Sequence, residues 1–215
     1  MKRCGPLTKT CSIAAAAVIY VLLAGVAAFE TTARDVQRIK SPSGIEAWLV
    51  GEHSIPLVAL RFAVIGGSTQ DPLGQEGLTT FLLAMLEEGA GDLDAQAYKR
   101  GLQAIAARLT LTAERASIGG GIVSLSRNFD RAANLLGLAL TKPRFDADAI
   151  ERVREQLLSR LRYSAKDPAV SAADLWYSTA FAGQPYGRNA RGTRASLGAI
   201  TRADLVAHHR LLLAR

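Results

Sequence analysis

The chain has 215 residues, 49% apolar and 21% charged, a balance that suits one or two globular domains with a core of their own. Its formal charge is +7, but Lys2, Arg3 and Lys9 lie in the first ten residues and leave +4 on the rest. No basic stripe interleaved with aromatics and no zinc-finger spacing accompanies that charge, so the composition speaks against a nucleic-acid partner.

Residues 1–28 read as a secretory leader. The basic start MKR, with Lys9 beyond it, precedes a 17-residue apolar run from Ser12 to Ala28 that ends in Val26, Ala27 and Ala28. Cleavage after Ala28 is the first reading. The run is also just long enough for a retained membrane anchor, and the two stay open. Both cysteines, Cys4 and Cys11, fall inside this leader, so the mature chain would have neither disulfides nor thiolate ligands. Export without disulfides points to a bacterial periplasm.

Residues 29–43 form a polar lead-in ending near Pro42. Gly44–Ser54 then reads as a strand and turn, and Leu57–Ile65 as a second strand, together suggesting a hairpin with one buried face. His53 in the connection reads as a surface residue. Asp71-Pro72-Leu73-Gly74 is turn chemistry, and a helix over Glu76–Glu88 follows, stopped by Gly89 and Gly91. Asp94 caps a helix over 95–107. Two further strands are expected, over 107–115 and 116–126. Gly119–Gly121 has no following lysine or helix, so it reads as a bulge or close backbone approach inside a strand rather than a phosphate loop. Helices follow over 128–142, 146–166 and 169–183. A loop over 184–193 precedes a last helix capped by Thr201 or Asp204.

Short strands covered by helices give an α+β fold, an antiparallel sheet with helices on it, as one mature domain over 44–215. Thr80, Leu83 and Ala84 share one face of the helix after the first turn, at i, i+3 and i+4. Histidines at the outer two positions with a glutamate between them would build a zinc protease site there. None is present.

These segments resemble the N-terminal half of a peptidase of the insulinase and pitrilysin family, close to bacterial relatives of the processing peptidases. The resemblance is carried by LVGEHSIPLVALRFAVIGGS, GLTTFLLAMLEEG, PRFDADAIERVREQ and QPYGRNARGTRASLGAITRADLVAHH, in that order over Gly44–Arg215. It implies an inverted motif, histidine-x-x-glutamate-histidine, and a distal glutamate about seventy-five residues on. Those ligands fall on Thr80, Ala84 and Ser159, and the general base on Leu83. None of the four can do the family's chemistry. The resemblance therefore implies no catalytic residue, no metal or other cofactor in this chain, and a degenerate, non-catalytic member. Its partner would be a zinc-bearing subunit or second half-chain, with zinc only in that partner. The chain would form a chamber wall or hold extended peptide by strand addition in periplasmic proteolysis. A peptide-binding or structural protein without proteolysis, or a truncated fragment, is the alternative. A membrane enters only if the leader is retained.

Overall fold

The computed structural model describes residues 36–42 and 44–213. The leader read over residues 1–28, its cleavage site and the first half of the lead-in lie outside the described residues. Two compact units are present, one ending at Ile55 and one beginning at Pro56.

In the first unit, β1 (Val36–Lys40) and β2 (Glu46–Val50) form an antiparallel hairpin with Val36 opposite Val50 and Lys40 opposite Glu46. Ser41 closes the turn: its N–H donates to the Ile45 carbonyl at 2.8 Å, and its Oγ accepts from the Ile45 N–H at 3.0 Å. This corrects the hairpin expected between the strand after Gly44 and the strand after Leu57, because β2 pairs with β1 instead. The stretch read as a polar lead-in supplies that partner. VQRIK has only two apolar residues, three apart, which leaves no period-two pattern to read.

In the second unit, β3 (Leu57–Ile65) leads to α1 (Leu78–Met85) and the two-residue strands β4 (Gly89–Ala90) and β5 (Leu93–Asp94). Then come α2 (Ala95–Ala104), β6 (Arg108–Ala113) and β7 (Ser117–Leu125). The chain finishes in helices: α3 (Phe129–Thr141), α4 (Ala147–Ser164), α5 (Pro168–Ala180), α6 (Arg194–Ala199) and α7 (Arg202–Leu212). β3, β7 and β6 form an antiparallel sheet in that order, with helices on its inner face. The α+β class and the antiparallel sheet stand as expected.

Alternation places Val58, Leu60, Phe62 and Val64 inward and leaves Leu57, Ala59, Arg61, Ala63 and Ile65 exposed. β7 runs in unbroken register against both neighbours, so the glycine run makes no bulge. It makes room instead. A Cβ on Gly120 would come within 2.5 Å of the Phe62 ring and 2.8 Å of Leu111 Cδ2, and one on Gly121 within 2.2 Å of the Leu60 carbonyl oxygen.

α1 is the centre of the largest core cluster. Leu78, Phe81, Leu82, Leu83 and Met85 are all buried, against Ile118 of the sheet, Val153 and Leu157 of α4, and Leu205 and Leu212 of α7. Burying each such side chain is worth about 1.5–3 kcal/mol. α1 starts at Leu78 rather than Glu76 because Gly77 takes φ +90°. Only glycine fits there, since a Cβ would lie 2.8 Å from the Arg191 carbonyl oxygen. Asp94 caps α2 by accepting from the Ala97 N–H at 2.7 Å, and Thr201 and Asp204 together close a capping box on α7.

Candidate functional site

The face of α1 that carries Thr80, Leu83 and Ala84 opens on a cavity of about 250 Å³. Glu87, a further turn along, lines it too. α4 contributes Val153, Gln156, Leu157 and Arg160, and β6 contributes Leu111 and Ala113. The three α1 positions are thus brought together as read from the sequence. Ser159 does not line the cavity. It sits one residue before Arg160, about 100° around the helix from it. The α4 positions facing α1 are the set spaced three and four apart that includes Gln156 and Arg160.

Zinc does not fit this donor set. Thr80 Oγ1 donates to the Ala190 carbonyl at 3.0 Å, while Leu83 and Ala84 offer only carbon. Among the described residues, no group of three or more His, Cys, Asp and Glu side chains is disposed to hold a metal.

The two glutamates after α1 have separate fates. Glu88 is buried between Lys99 and Arg152, at 2.7 Å and 2.6 Å. Burial alone would raise its pKa, but the hydrogen bonds from Lys99 and Arg152 outweigh that and hold it below the ordinary glutamate value. Glu87 is half-buried on the cavity wall. Burial pushes its pKa up against the opposing charge of Lys99, Glu88 adds to the rise, and Arg160 opposes it.

The N-terminal end of α1 is fastened by a buried polar cluster that sequence reasoning missed. The Asp71 carboxylate accepts from the Gly77 N–H at 2.9 Å, and from the Thr79 N–H at 2.9 Å and hydroxyl at 2.6 Å. His208 Nε2 lies 2.8 Å from Thr79 Oγ1 and 3.4 Å from Asp71. The threonine proton is committed to Asp71, so Thr79 accepts from His208, whose Nε2 carries the proton. Threonine, histidine and aspartate in contact resemble a nucleophilic triad, but Thr79 is 0% exposed and Asp71 and His208 are each 3% exposed. The cluster is a helix cap. His209 faces elsewhere, its Nε2 donating to the Leu140 carbonyl at 2.8 Å. Asp71 could be read only as a turn residue in the sequence, because its partner lies 137 positions away at His208.

The segment after α5 is pinned beside this cap. Arg188 donates to the carbonyls of Asp71 at 2.7 Å and Thr69 at 3.1 Å. Arg115 donates to the carbonyls of Tyr186 and Arg188, both at 2.9 Å, with its guanidinium 3.6 Å over the Tyr177 ring. The loop thereby holds Ala190 against Thr80.

The pattern of insulinase (peptidase family M16) matches residues 49–194. The chain belongs to this family. A curated relative, the "non-peptidase homolog YmxG" of Helicobacter pylori, is 26% identical over 181 residues, covering 84% of this chain and 41% of that protein. Among solved structures, a peptidase M16 inactive domain from Pseudomonas fluorescens superposes with a TM-score of 0.76 at 27% identity, covering 81% of this chain and 43% of that one. A Helicobacter pylori protease (TM-score 0.74, 14% identity, 83% and 43% covered) and pitrilysin (0.75, 18%, 86% and 20%) share the fold. The chain spans less than half the length of each of these relatives.

Proposed function

We propose that this chain is a non-catalytic insulinase-type domain that holds extended polypeptide along β6 for a zinc-bearing partner subunit or second half-chain in the periplasm. The observation that carries the reading is the α1 wall of the cavity. Thr80, Leu83 and Ala84 supply no metal ligand and no general base, while the surrounding fold is kept. The relatives described as a non-peptidase homolog and an inactive domain support it.

β6 is the part suited to the task. Among the described residues it pairs with β7 on one side only, and its other edge offers main-chain donors and acceptors to a further strand. The leader read in the sequence over residues 1–28 supports a periplasmic setting.

The test is isolation of the native protein from the periplasmic fraction with identification of what accompanies it. A co-isolated family member with an intact histidine-x-x-glutamate-histidine motif, whose peptide hydrolysis rises on adding this chain, supports the reading. A chain that alone carries about one zinc and a chelator-sensitive peptidase activity overturns it.

A further inference from the structure

We propose that the polar rim of the cavity beside α1 binds a free α-amino acid with an apolar side chain. Glu87 takes its ammonium, Arg160 and Gln156 take its carboxylate, and the floor takes the side chain. The inference goes beyond the peptide-holding reading and does not depend on it. It concerns a free small molecule and needs nothing from the main-chain edge of β6.

The cavity has two levels. Its floor is apolar, since Leu83, Val153 and Leu157 line it and are buried. Its rim is polar and carries charges of both signs. The stripe of α1 through Thr80 and Leu83 runs one turn further to the half-buried Glu87. On α4, Gln156 and Arg160 are exposed and stand four residues apart, which sets amide and guanidinium side by side.

These three rim groups are the ones the fold leaves unused. Thr80 is bonded to the Ala190 carbonyl, and Glu88 to Lys99 and Arg152. Among the described residues, Glu87, Gln156 and Arg160 make no hydrogen bond or ion pair, with each other or with any neighbour. Burial raises the Glu87 pKa, and no hydrogen bond offsets it. Lys99 opposes that rise only through space, because its Nζ is 2.7 Å from Glu88.

The charge pattern selects the guest. A simple anion drawn to Arg160 meets Glu87, and a simple cation drawn to Glu87 meets Arg160. A zwitterion satisfies both walls and adds no net charge. The guanidinium fork suits a carboxylate in particular, through paired charge-assisted hydrogen bonds. The floor then favours an apolar side chain over a polar one. Drug-sized ligands occupy roughly 300–1,000 Å³, so a cavity of about 250 Å³ suits a single amino acid.

The experiment is isothermal titration calorimetry of the full chain with leucine, glycine, leucinamide and N-acetylleucine. Leucinamide keeps only the ammonium, as the first residue of a peptide does, and N-acetylleucine only the carboxylate, as the last residue does. Leucine is expected to bind about ten- to a hundred-fold tighter than either blocked form, and about ten-fold or more tighter than glycine. Arg160→Gln is expected to bring leucine down to the affinity of leucinamide and leave leucinamide unchanged. Glu87→Gln should do the same with respect to N-acetylleucine. A variant that loses every ligand is checked by thermal melt, and the wild-type series decides without it. Absence of leucine binding, or a blocked form that binds as tightly as leucine, overturns the inference and leaves the peptide-holding reading intact.

Discussion

Thr79 and His208, 129 residues apart in sequence, meet in the core at 2.8 Å between Oγ1 and Nε2, and Asp71 completes the cluster. Replacing Asp71 by Ala strips the acceptor from the N–H groups of Gly77 and Thr79 and from the Thr79 hydroxyl, all buried. Each buried unmade bond costs about 1–3 kcal/mol, so Asp71→Ala is expected to lose roughly 3 kcal/mol or more in urea unfolding. Thr79→Val should cost less, because it removes one hydroxyl, with its bonds to Asp71 and His208, and leaves the backbone caps in place.

Glu88 and Glu87 predict opposite pH behaviour. The Glu88 pKa is held below its unfolded value of about 4.3. Its contribution to stability is therefore present above that value and is lost as pH falls through the lower folded pKa. Stability measured from neutral to acid should decline more steeply in the wild type than in Glu88→Gln. Glu87 has a raised folded pKa, so its ionisation costs stability as pH rises from the unfolded value through the folded one. Glu87→Gln is expected to be more stable than wild type at neutral pH and indistinguishable from it in acid.

A metal can be used to read the register of α4. The tag-free protein should hold no stoichiometric zinc, because Thr80, Leu83 and Ala84 lack the donors. With Thr80→His, Leu83→Glu and Ala84→His installed, a fourth change decides whether a third ligand arrives. Gln156→Glu or Arg160→Glu should bind zinc at least ten-fold tighter than Ser159→Glu by competition with a chromophoric chelator, since those positions line the cavity and Ser159 does not. Equal affinities would mean that α4 faces α1 differently.

Ala113→Pro tests the edge of β6. It removes an N–H that points away from β7, so no ladder bond is lost and the fold is expected to persist within about 1 kcal/mol. Peptide affinity should fall at least ten-fold by anisotropy.

Local signals in the sequence translated well into structure. Asp94 before α2 and Thr201 before α7 are caps whose partners lie three residues away, so a short window contains the whole interaction. The Gly119–Gly121 run was also legible as a close approach, although Phe62 and Leu111 as the occupants were not. What stayed hidden was long-range or rotational. The hairpin partner of β2 lay in a stretch too polar to show alternation. Counting along the chain leads to Ser159, which does not line the cavity, and one residue along a helix turns a side chain by about 100°. α6 was hidden within residues that carry the family resemblance but have too little apolar periodicity for a six-residue helix.

Thr79 and Thr80 are neighbours about 100° apart around α1, and they meet different partners. Thr79 ties the helix to Asp71 and His208, while Thr80 looks into the cavity. The bonds from Asp71 and His208 hold the first turn at Gly77 and Thr79, so changes at Thr80 and Ala84 leave that fastening in place. The anchoring of the helix and the chemistry of its cavity-facing positions can therefore change separately.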